Sequence, residues 1–268
     1  MPVSATASES VTTGAGVRSD AYALVGNTPL VQLGRSGDGL VYVKHEGLQA
    51  GGSYFDRVAA AQLERMGRVP EGVLVEGTTS WVVSVLTLCN RLGVPVVVVA
   101  HGDAPARLVG LIRKLGGRLI RWSDPDDRSA HLGDWEAQGY VYLDRNDPVS
   151  HRAALTAVAR ECAQSLEHPL STWVIVDYGL DAVEASNALG AALGYAVEVE
   201  LVPDDHEVER TLEGSAACRR TQVGHREGML ISPIGAEVID RAVGTALAAG
   251  TPVCAVLPDG GHRYLGWW

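Results

Sequence analysis

The sequence predicts an α/β protein with parallel-type sheets flanked by helices. Two observations carry that prediction. From residue 41 onward, short β-branched runs alternate with amphipathic stretches long enough to be helices. Repeated strand–helix–strand units of this kind give a parallel sheet with helices on both faces. The chain has 268 residues, 46% of them hydrophobic. That supports one large domain or two interlocked lobes and rules out global disorder.

In chain order, Val41–His45 reads as a strand, and Ser53–Met66 as a helix with Ser53 placed as its N-cap. Val73–Glu76 is a strand and Ser80–Leu92 a helix. Val96–His101 is a strand, and Ala104–Leu115 a helix stopped by Gly116-Gly117. Arg118–Trp122 and Val141–Leu143 are strands, and a helix crosses Ser150–Leu166. Then come the strand Trp173–Tyr178, the helix Ala182–Leu193 and the strand Ala196–Val202. Ser215–Arg226 is helical, Leu230–Ile231 short and extended, Gly235–Ala248 a helix and Pro252–Leu257 the last strand. In a parallel sheet the functional loops follow the carboxyl ends of the strands. These are Glu46–Ser53, Gly77–Trp81, His101–Asp103, Asp177–Asp181 and Pro258–Tyr264.

Composition excludes several classes. The net charge of −10 argues against a nucleic-acid binder, which needs a basic surface to displace counterions. No uncharged apolar run approaches the roughly 18 residues of a membrane span. The cysteines, Cys89, Cys162, Cys218 and Cys254, are widely spaced and read as buried reduced thiols, with no metal motif among His, Cys, Asp and Glu. Residues 1–20 are small and polar and lack the pattern of a signal peptide, so a flexible tail and a cytoplasmic protein are expected.

Three segments are distinctive: Val25-Gly26-Asn27-Thr28-Pro29-Leu30, then Gly51-Gly52-Ser53-Tyr54-Phe55-Asp56-Arg57, then Leu257-Pro258-Asp259-Gly260-Gly261-His262-Arg263-Tyr264-Leu265. Their order and spacing resemble the cysteine synthase family, the fold-type II pyridoxal-phosphate (PLP) enzymes. The ending also looks like the branch that makes diaminopropionate precursors. The resemblance implies a two-lobed fold, similar to the tryptophan synthase β chain, with a lobe at 21–147, a second at 148–268 and a cleft between them. It also implies a homodimer.

The same resemblance exposes departures. Phe55 stands where the family has its Schiff-base lysine, and the chain's two lysines, Lys44 and Lys114, lie elsewhere. Trp81 replaces the asparagine that contacts the cofactor ring in the Thr78-Thr79-Ser80 loop. Gly179-Leu180-Asp181-Ala182-Val183 replaces the glycine-rich phosphate cradle. Gly260 replaces the serine on the ring nitrogen. Together these departures lead to the expectation that no PLP is used.

Ser53, Thr78, Thr79 and Ser80 are then candidates to bind a carboxylate, and also ordinary helix caps. Tyr54, Phe55, Trp81 and Tyr178 either line an aromatic pocket or plug a vacated one. His262, Asp181 and His101 are candidates for acid–base chemistry, with His262 first and Arg263 beside it to balance an anionic substrate. Two functions follow as expectations. One is a cofactor-free enzyme performing elimination, cyclisation or isomerisation on a small biosynthetic metabolite. The other is a non-catalytic protein that holds a partner enzyme or peptide tail in the cleft.

Overall fold

The computed structural model describes residues 22–33, 40–77, 79–104, 106–166, 169–204 and 215–262, with the side chains of 107 and 215–218 excepted. The tail expected over 1–20, Thr78, Arg263 and Trp267-Trp268 lie outside the described residues. The strands are β1 (Leu30–Leu33), β2 (Val41–His45), β3 (Val73–Glu76), β4 (Val96–His101), β5 (Arg118–Trp122), β6 (Val141–Tyr142), β7 (Thr172–Asp177), β8 (Glu198–Pro203) and β9 (Val253–Leu257). The helices are α1 (Phe55–Arg65), α2 (Ser80–Leu92), α3 (Ala106–Lys114), α4 (Pro125–Ala137), α5 (Pro148–Ser165), α6 (Ala182–Leu193), α7 (Ser215–Glu227) and α8 (Pro233–Ala249).

The chain divides into two compact units, residues 1–25 with 59–144, and residues 26–58 with 145–268. This differs from the single boundary expected near residue 147. The reason is strand pairing: β2 lies parallel to β9, with Val43 opposite Ala255, so an N-terminal segment completes the C-terminal sheet.

The first unit carries a four-stranded sheet in the order β5-β4-β3-β6, parallel throughout. Val73–Val75 and Val96–Ala100 are buried, as required when both faces of a strand are covered. One face holds α4, with Leu74, Val97, Val99 and Trp135 at its core. The helix α4 was not foreseen. Its first turn, Pro125–Arg128, is polar, but Asp124 caps it by accepting from the backbone N–H groups of Asp126 and Asp127.

The second unit carries a five-stranded sheet in the order β1-β2-β9-β7-β8. Only β1 runs antiparallel to its neighbour. It too was not foreseen, being a short edge strand after Pro29. The helix α8 packs on β2, β9 and β7, and its face carries Ile234, Val238, Ile239 and Val243, all buried.

Candidate functional site

Each sheet has one place where strand order reverses, and open α/β sheets bind ligands in the crevice beyond that point. In the second unit it falls between β7 and β9. The residues just beyond are Tyr178-Gly179-Leu180 and Pro258-Asp259-Gly260. Tyr54 and Phe55 at the start of α1, and His151 on α5, pack into this crevice. The rings of Tyr54, His151 and Tyr178 lie 5.7–5.9 Å apart in near-parallel planes. Phe55 leans on Tyr178 at 4.7 Å, and the Arg145 guanidinium lies 5.0 Å over the Phe55 ring. What remains is a cavity of about 20 Å³, lined by Tyr54, His151, Ile175, Tyr178, Val256 and Pro258 among others. That is room for about one water.

Burial raises the phenol pKa of both Tyr54 and Tyr178, so neither hydroxyl ionises near neutrality. His151 Nε2 sits 2.8 Å from the carbonyl of Arg145. That contact requires a proton on Nε2, while the Tyr54 hydroxyl, which donates to the His151 carbonyl at 3.4 Å, also lies 3.4 Å from Nδ1. His151 and Arg145 were missed by sequence reasoning. The signal available was Asp147-Pro148, which starts α5 and puts His151 in its first turns.

A buried ionic network fixes the start of α1. Arg57 donates from Nε to Glu46 at 2.6 Å and through both terminal nitrogens to Glu161 at 2.7 Å. Lys44 donates to Glu161 and to the carbonyl of Thr28, each at 2.6 Å. Burial works to raise the Glu161 pKa, but hydrogen bonds and charge from Arg57, then Lys44, outweigh it and hold it below the ordinary value. Ser53 is fully buried, pairs with Asp259 in an isolated bridge and accepts from the Phe55 N–H at 3.3 Å. The helix thus begins two residues later than Ser53 suggested.

Next to the crevice, His45 ends β2 at 6% exposure. Its Nδ1 meets no hydrogen-bond partner. Burial, countered in part by Glu46 and reinforced by His262, lowers its pKa. Gly47 packs so closely on Gly260 that a Cβ would lie 2.2 Å from the Gly260 nitrogen. His262 is exposed and its ring covers Gly260. Asp181 is exposed and caps α6 by accepting from the Glu184 N–H at 2.8 Å.

In the first unit strand order reverses between β3 and β6. Gly77 leaves β3 with φ +91°. Thr79 is the residue before α2, in extended geometry, with no side-chain cap bond. Its Oγ1 is buried without a hydrogen-bond partner. Trp81 is buried at 1% exposure on the first turn of α2, beside Ser80. His101 pairs with Asp103 at the end of β4 and meets Trp122 edge-on at 4.6 Å, out in solvent. Among the described residues no group of His, Cys, Asp and Glu forms a metal site, and no helix is long and apolar enough to cross a membrane.

A family model described as "Pyridoxal-phosphate dependent enzyme" matches residues 22–196. No curated protein matches the chain. Among solved structures, O-ureido-L-serine synthase superposes with a TM-score of 0.78 at 20% identity, covering 93% of this chain and 94% of that one. A hydrogen sulfide-producing enzyme from Fusobacterium nucleatum gives 0.76 at 15% identity, covering 93% and 98%. An O-acetylserine dependent cystathionine beta-synthase from Helicobacter pylori gives 0.72 at 15%, covering 94% and 98%.

The family match overturns the expectation of a protein without a cofactor: it points to PLP. The side chains around the second-unit crevice nonetheless do not supply a covalent anchor. Phe55 carries no amine, Lys44 is bound to Glu161 and Thr28, and Lys114 ends α3. With more than half of its length matched by one family model, the chain belongs to the pyridoxal-phosphate dependent enzyme family, with a cysteine-synthase-like fold.

Proposed function

We propose that this protein is a biosynthetic enzyme that binds a small amino acid of the O-substituted serine type, with the ligand carboxylate seated at the start of α2. One observation carries the reading. Thr79 stands before α2 without a side-chain cap bond and holds a buried hydroxyl with no hydrogen-bond partner. The positive end of the helix dipole and an unused hydroxyl together suit a carboxylate. The place is also where strand order reverses, the usual ligand crevice of such sheets. Two structural neighbours are named for O-ureido-L-serine and O-acetylserine, amino acids of this class.

The transformation proposed is a proton-transfer reaction: elimination, cyclisation or isomerisation. A second reading is a tail-binding protein. The aromatic filling of the second-unit crevice favours it, because a cavity of about 20 Å³ is too small to enclose a metabolite.

The test is calorimetric titration with O-acetyl-L-serine and with its methyl ester. We expect the acid to bind and the ester to bind at least tenfold more weakly. Thr79→Val should weaken the acid by about tenfold, the loss of one hydrogen bond to a charged group. Equal binding of acid and ester, or no binding of either, overturns the proposal. Binding of C-terminal peptides in place of amino acids would install the second reading.

A further inference from the structure

Beyond β9 the chain forms a strap, residues 258–262, held along its length. The Tyr54 N–H donates to the Pro258 carbonyl at 2.6 Å, and the Gly261 N–H to the Leu230 carbonyl at 2.9 Å. Isolated bridges join Asp259 to Ser53 and Gly260 to Ile231. Gly260 is pressed between Gly47 and the His262 ring, so that a Cβ on it would lie 2.6 Å from His262 Nδ1. A Cβ on Gly261 would lie 2.6 Å from the Ile231 carbonyl oxygen. Contacts this close leave no slack. Pro258 also lines the small cavity beside Tyr54 and Tyr178, so the strap is one wall of the second-unit crevice.

His45 lies at the root of the strap, paired across the sheet with Leu257. Alternation along β2 puts it on the face opposite Lys44, whose amine reaches Glu161 on α5. There its ring is buried, and Nδ1 has no hydrogen-bond partner. A neutral ring bears this at modest cost. An imidazolium would bring a charge and a second N–H donor into a place that solvates neither. The surrounding groups do not offset that. Glu46, next in the chain, is already bound to Arg57, Thr28 and Gln49. His262, on the strap, opposes a charge on His45, and the Asp259 carboxylate acts on Tyr178. The face that α8 turns to the sheet is apolar, with Ile234, Val238 and Ile239.

We propose that residues 258–262 are an acid-released strap over the second-unit crevice, with His45 as its trigger. Protonation drives the ring out toward water, and the strap lifts from Gly47 and Ile231. The closed form is fully favoured above the ordinary imidazole value of about 6.5. As pH falls below it, the open form, with a solvated ring, takes up a proton that the closed form refuses. This device stands independently of the carboxylate reading at α2.

The experiment is amide exchange in the full-length protein, corrected for intrinsic rates, at about pH 7 and pH 5 and with or without about 1 M urea. Protection of the Tyr54 and Gly261 N–H groups should fall about fivefold or more with acid. It should be insensitive to urea, because a local opening exposes little surface, whereas the β9 amides should respond to urea. In His45→Phe the acid-induced loss at Tyr54 and Gly261 should shrink to within about twofold. A loss that persists in this variant overturns the inference. So does a urea dependence at the strap as steep as that of β9, which would mark global unfolding. Should His45→Phe fail to fold, the wild-type imidazole resonance decides. Its titration midpoint should coincide with the midpoint of the Gly261 exchange, and separate midpoints overturn the proposal.

Discussion

Phe55 shows how one residue alters a site. Its ring is 3% exposed, touches Tyr178, meets His151 edge-on and lies under the Arg145 guanidinium. Such a ring contributes by area and by specific aromatic geometry. Phe55→Ala should cost about 3–5 kcal/mol, read by urea unfolding, because the surrounding rings cannot collapse onto the gap. Phe55→Leu should cost less than half as much. A cost below about 1 kcal/mol for Ala would mean that the cluster is not packed as described. Tyr54, Phe55 and Tyr178 were legible as a group because motif order places them beside the expected crevice. His151 and Arg145 were not, because nothing local in the sequence says that the start of α5 turns into it. Asp181 was legible in its plainer role, since a residue of its type before an apolar run is a cap wherever the run is a helix.

At the scale of elements, strands buried on both faces were the easiest to see. Val96–Ala100 carries the signal in its own composition, whereas β1 and α4 do not. β1 is four residues long at a sheet edge, and α4 has a weakly apolar face held by one cap and by Trp135. The end of β2 carries a cost that the sequence hid. His45 looked like the polar last residue of a strand, yet it is buried with an unused Nδ1. Burial favours the neutral ring, so its pKa in the folded protein lies below the ordinary 6.5. Below that value the unfolded chain takes up a proton that the folded chain refuses, and stability falls with pH. The contribution is complete above pH 6.5 and declines as pH drops toward the lowered folded value. Unfolding free energy should therefore fall between pH 7 and 5. His45→Phe, close in size and untitratable, should flatten that part of the profile. An unchanged slope in the variant would show that another group sets it.

The whole molecule is organised around an exchange that a linear reading of the chain could not reveal. A cut near residue 147 looks natural because Asp147-Pro148 opens a long helix and strand–helix units lie on both sides. Periodicity reports which faces are buried, and it is silent on which strands pair across more than two hundred residues. Here β2 enters the second sheet between β1 and β9, with Val41 opposite Val253 and His45 opposite Leu257. Val41 and Val43 are fully buried there, and Arg57 with Glu46 brings the other half of the ionic network to Glu161. A chain of residues 148–268 alone would expose the whole edge of β9 and leave Glu161 without its two cations. It would also lose the apolar cover of β2, at roughly 25 cal/mol for each Å². We therefore expect the isolated 148–268 segment to be unfolded or aggregated, with poorly dispersed amide resonances. A hybrid that fuses residues 26–58 ahead of 145–268 through a flexible linker should recover a cooperative unfolding transition. A well-dispersed spectrum from 148–268 by itself would refute the pairing-based division and restore the simple boundary.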